Sequence, residues 1–128
     1  MSRALCAAFA DRRGGMAVEF ALVMPIFALL LFGIVEFGQV LWTQSALHFA
    51  VEEAARCATV DAANCGSVSA VQSFAVSRAA GLGLQNSVFS LTNPACGNQV
   101  SASYPFPFVM ATLFPYSITL TAQSCFPK

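Results

Sequence analysis

Charge is scarce in this 128-residue chain. Six Lys and Arg and six Asp and Glu make up 9% of it, against roughly 25% in an ordinary soluble domain. The scarcity is also uneven. No acidic residue follows Asp61, and no charge of either sign lies between Ala79 and Pro127, so the region beyond Asp61 holds no paired carboxylates for acid–base chemistry. A formal net charge of zero supplies no basic field, which excludes nucleic acid as a partner. Histidine occurs once, at His48, and the HExxH, GxSxG, P-loop and dinucleotide-glycine patterns are all missing. A nucleophile paired with His48 would need Cys57 or Cys65 as a free thiolate; a polar residue on the solvent side of a helix is the plainer reading. The sequence therefore predicts no enzyme and no cofactor.

Apolar residues are abundant, at 57% of the chain. From Phe20 to Trp42 only Glu36 is charged, and a helix over that stretch would measure about 35 Å, enough to cross a hydrocarbon core of roughly 30 Å. The 86 residues after Trp42 are too few to enclose such a helix as a core element. A cleaved signal peptide fits less well. Its apolar region would be about 7–15 residues with small residues at the cut, whereas a cut after Ala46 would place Gln44 third before it. Arg12 and Arg13 precede the span and no basic residue follows until Arg56, which puts residues 1–13 in the cytoplasm and the rest beyond the membrane. Trp42 suits the outer interfacial belt. Glu19 and Glu36, seventeen residues apart, are separated by about 26 Å of helix and can sit near opposite hydrocarbon boundaries. Either they reach headgroups, or each carboxylate has a specific partner, since unpaired charge is costly in lipid. Pro25 predicts a local kink that could shape subunit packing.

The run Arg12-Arg13-Gly14-Gly15-Met16-Ala17-Val18-Glu19-Phe20 resembles the processing region of the TadE-like family, minor pilins or pseudopilins of tight-adherence (Flp-type) pili. AVEFALVMPIFALLLFGIVEFGQ, followed by an Ala-rich amphipathic helix containing EEAAR, strengthens the resemblance. The YPFPF…LFP…ITLTA pattern extends it over nearly the whole chain. The family implies cleavage by a membrane aspartyl prepilin peptidase between Gly14 and Gly15, making Glu19 the fifth mature residue and Phe20 the sixth. Bare glycine backbone suits close approach in a protease cleft. The new amine on Gly15 would lie four residues before Glu19, which could pair with it or with a neighbour's. Processing thus falls to Gly14, Gly15, Glu19 and Phe20, and assembly to Glu19, Pro25 and Glu36. Implied partners are the peptidase, other pilins or pseudopilins, the tight-adherence secretion machinery and membrane lipid. The implied location is a bacterial inner membrane, crossed once, with a periplasmic head; the resemblance leaves entry into the pilus open. The other reading is a single-pass envelope protein that scaffolds a secretion complex without entering a filament.

The expected fold is α+β: a pilin-like long N-terminal transmembrane helix and a small extracytoplasmic head with one further helix and a short antiparallel sheet. Residues 1–14 form a removed leader, 15–60 the long helix with its span at about 20–42, and 61–128 the head. Beyond the span, Leu47, Val51, Ala54 and Ala58 form one stripe. The stretch 61–67 breaks the helix, Ser67 or Ser69 caps the next one near Val68–Ala80, and Gly81 and Gly83 end it. Strands are expected at Ser87–Thr92, Gln99–Tyr104 and Tyr116–Ser124. Pro105 and Pro107 weigh against a longer central strand, and Phe106–Phe114 reads as a short helix or an irregular apolar segment. Cys6 belongs to the leader; Cys57, Cys65, Cys96 and Cys125 belong to the head. Three pairings are possible. Placement favours Cys57–Cys65 across the helix break and Cys96–Cys125 between turn and final strand. A four-cysteine zinc site is the rival, and spacings of eight, thirty-one and twenty-nine suit it poorly.

Overall fold

The computed structural model describes residues 15–79, 81–109 and 116–127. Helix α1 runs Gly15–Val60, and the chain divides into two compact units, 1–37 and 38–128. In the first unit the helix passes through Pro25, whose missing N–H leaves the Ala21 carbonyl without its helical donor. Apolar side chains occur all round this stretch and stay exposed, Leu22 and Ile26 at 70% each and Phe37 at 65%. A helix apolar on every side has no solvated face to offer water.

The second unit is built differently. Thr43, Leu47, Ala50, Val51, Ala54 and Ala55 are buried along one stripe of α1, at the three- and four-residue spacing that keeps side chains on one helix face. Val60 ends the helix. Asp61 then caps the single turn α2, Ala62–Cys65, by accepting from the Asn64 N–H at 3.1 Å. Ser67 caps α3, Val68–Arg78, through the Ala70 N–H at 3.2 Å. The helix stops slightly short of the expected Ala80, and Gly81 and Gly83 turn the chain with φ of +89° and +60°, values that favour glycine.

A 3₁₀ turn at Asn86–Val88 leads into β1, Phe89–Thr92. With β2, Asn98–Phe106, and β3, Ile118–Phe126, it forms an antiparallel sheet in the order β1-β2-β3. The central strand outruns the expected Tyr104 and includes Pro105. The register explains why. β1 pairs with β2 only from Gln99 to Ala102, so at Pro105, opposite Thr119, β2 is paired on one side alone, where a strand tolerates proline. One sheet face carries Phe89, Val100, Ala102, Leu120 and Ala122, which join Leu47, Val51, Val71 and Ala75 in a single core. Phe106 closes β2 and meets Phe108 edge to face at 5.1 Å. Residues 110–115 of the ambiguous apolar segment lie outside the described residues.

Candidate functional site

Gly15 opens α1, and among the described residues a Cβ built there would meet nothing within 4 Å. Cys6, Arg12, Arg13 and Gly14 lie outside the described residues. Glu19 is one turn further on, about 6 Å along the axis, on the same side of the helix as Gly15. It is exposed and, among the described residues, has no hydrogen-bond or ion-pair partner. Phe20 beside it is 65% exposed. Glu36 is half-buried among exposed apolar neighbours. The described residues of this unit therefore present two carboxylates and a bulky apolar surface. Residues 15–37 include an apolar stretch long enough to anchor the chain in a membrane by a single pass.

The head is stapled and tied. Cys57 is joined to Cys65, Cα atoms 5.7 Å apart, and Cys96 to Cys125 at 6.3 Å; both separations are ordinary for disulfides. The four sulfurs that a zinc site would share are used in these two bonds, and neither Cys57 nor Cys65 is a thiolate available to His48. His48 is exposed, as its place on the helix suggested, yet it does not simply face solvent. The Gln44 side-chain amide donates to His48 Nε2 at 3.0 Å and to the Thr121 carbonyl of β3 at 2.8 Å. Gln72 of α3 donates to the Phe89 carbonyl of β1 at 2.7 Å. Each outer strand of the sheet is thus met by a glutamine from a helix, one way of satisfying strand carbonyls that no neighbouring strand pairs. Buried Asn98 on β2 donates to the Ala58 carbonyl at 2.9 Å and to Thr59 Oγ1 at 3.2 Å, tying the last turn of α1 to the sheet. None of these three amides was marked by sequence reasoning; their only signal was an amide side chain within a patterned element.

Two of the hollows on the head bear on its chemistry. One, of about 580 Å³, is lined by His48, Ser90, Ser101, Ser103, Thr121 and Gln123 among others. Its hydroxyls partly satisfy one another, Ser90 and Ser101 lying 2.8 Å apart. The other, of about 280 Å³, is lined by Trp42, Ser45, Ala46, Phe49 and Arg78, and the Arg78 guanidinium sits 4.8 Å over the Phe74 ring, within cation–π reach. The charge pattern leaves one pKa to explain. Hydrogen bonds from Asn64, the side-chain amide first, stabilise the Asp61 carboxylate and hold it below its ordinary value of 3.8.

Residues 14–56 match the family model of TadE-like proteins. No curated protein and no solved structure matches the chain. The match takes in Gly14, the apolar stretch and the whole buried stripe, and stops before α2. The resemblance expected over nearly the whole chain is therefore found only in its N-terminal part, and the sheet with its YPFPF segment lies outside it. The family is associated with the tight-adherence pilus and is generally non-enzymatic. Over residues 14–56 the chain is thus similar to TadE-like proteins, and that similarity associates it with the tight-adherence pilus.

Proposed function

We propose that the chain is a minor pilin or pseudopilin that helps initiate, assemble or regulate a tight-adherence pilus. The observation that carries this reading is the first half of α1, a helix apolar on every side, exposed over most of its length and marked near its start by Glu19. Such a surface needs lipid before assembly and other apolar helices after it. A prepilin peptidase cuts between Gly14 and Gly15, and the released amine lies one turn from Glu19. Arg12 and Arg13 hold the leader in the cytoplasm, so the head emerges on the periplasmic side. Glu19 then guides assembly by pairing with its own amine or a neighbour's, while Pro25 and Glu36 shape packing along the helix. Partners are other pilins and the tight-adherence machinery.

The test separates insertion from assembly. Glu19→Ala removes the charge partner and makes insertion easier, so membrane yield and cleavage should persist while recovery in sheared pili, or pilus number, falls. Normal piliation with the alanine protein as sole copy would overturn the role of Glu19. Absence of the unaltered chain from both pili and the assembly machinery would overturn the function.

A further inference from the structure

We infer that the head acquires its bridges from a thiol oxidase working in chain order, and that its folding needs no disulfide isomerase. The inference rests on the extracytoplasmic placement proposed above. Four cysteines allow three pairings, and only one of them joins consecutive cysteines in both bonds. The head has that one: Cys57–Cys65, eight residues apart, and Cys96–Cys125, twenty-nine apart. The first bridge closes before Cys96 need be present at all.

Local structure supports this order. Cys57 lies in the last turns of α1 and Cys65 ends α2. Between them the Asp61 N–H donates to the Cys57 carbonyl at 2.9 Å, and the Cys65 N–H to the Asp61 carbonyl at 2.8 Å. Those two bonds, with the Asp61–Asn64 cap, bring the sulfurs together using residues 57–65 alone. The second bridge has a different requirement. Cys125 sits on β3 opposite Gln99, and Cys96 lies in the exposed turn before β2. Gly97, with φ of +126°, lets the turn pass so close to Phe126 that a Cβ would run into its carbonyl. Cys96 therefore meets Cys125 only when β3 has paired with β2, after the first pair is already bonded. A cysteine awaiting its partner has no earlier free neighbour with which to mispair.

The chemistry needs one co-reactant, an oxidase carrying an exchangeable disulfide. A thiolate of the pair attacks that disulfide and forms a mixed disulfide, releasing one oxidase thiolate. The second cysteine, as thiolate, displaces the other oxidase sulfur. The head loses two electrons and two protons per bridge, and the oxidase leaves as a dithiol.

The test uses the full chain in bacterial cells with both extracytoplasmic enzymes, without the oxidase, or without the isomerase. Free thiols are blocked in an acid quench, and bridges are read by non-reducing peptide mapping. Both native bridges should persist undiminished without the isomerase and fall severalfold without the oxidase. In Cys125→Ser, Cys57–Cys65 should still form in full, with Cys96 recovered free or bound to the oxidase. Cys57–Cys96, Cys65–Cys125 or Cys65–Cys96 links in cells lacking the isomerase would overturn the inference while leaving the placement standing, as would native bridges undiminished without the oxidase. Four free head thiols in cells with both enzymes would instead overturn the placement, and the inference with it.

Discussion

One helix serves two environments, and the contrast between its halves shows how a sequence assigns them. From 15 to 37 apolar residues fill every side of α1 and remain exposed; from 38 to 60 they narrow to a stripe that the sheet and α3 bury. Helix propensity does not distinguish the halves, since Ala, Leu, Val and Phe occur in both. Distribution around the axis does. Where apolar groups surround the axis, water is a poor solvent for the whole segment; where they are confined to one face, a small domain can cover them.

The comparison breaks first at its buried stripe. Leu47, fully buried, should cost about 2–5 kcal/mol of head stability as Leu47→Ala. Leu30→Ala, at a position 56% exposed in the first half, should leave head unfolding within about 0.5 kcal/mol of the parent. Denaturant unfolding in detergent, followed by a probe in the sheet, measures both. Equal effects would mean that the two halves are not in different surroundings.

Cys96→Ser comes next. Removing the bridge that ties the turn to β3 should cost about 2–5 kcal/mol, lower the yield of folded protein and leave Cys125 open to improper pairing. A Cys6→Ser change should leave the processed protein unaltered. Thermal unfolding with thiol counting checks both expectations.

Asn98→Ala should have a smaller effect, about 1–3 kcal/mol, because it removes the buried amide nitrogen that meets the Ala58 carbonyl and Thr59 Oγ1. Hydrogen exchange should show the last turn of α1 opening more readily, while the first half of the helix stays unchanged.

Much of this comparison was legible in the sequence, because the first half declares itself by the length of its apolar run and the second by periodicity. The stripe at Leu47, Val51 and Ala54, the Ser67 cap and the alternation Leu120–Ala122 each follow from spacing along one element. What stayed hidden depends on spacing between elements. Pro105 argued for a short β2, and only the early end of β1 makes it harmless. Gln44, Gln72 and Asn98 look like ordinary polar residues until the carbonyls they meet are placed beside them. In the first half, Glu19 and Glu36 could be singled out as costly in lipid, but spacing along one helix does not identify what each carboxylate meets.

The smallest effect sharpens the end of the second half. Asp61 has a lowered folded pKa, so its capping contribution is complete above the unfolded value near 3.8 and is lost as pH falls through the folded value. Head stability should therefore decline slightly below about pH 4, and Asp61→Asn should flatten that part of the profile. An unchanged acid limb in the Asn variant would show that the cap contributes nothing there.

The intact mass of the mature chain tests the central claim most directly, because it reports whether the first half of α1 is released as an assembly helix. Protein recovered from membranes and from sheared pili should begin at Gly15, and Gly14→Val should hold it at the precursor mass, since a β-branched side chain replaces bare backbone at the cut. A mature chain beginning beyond Trp42, or an uncut chain with Gly14 intact while the peptidase is active, would contradict the account.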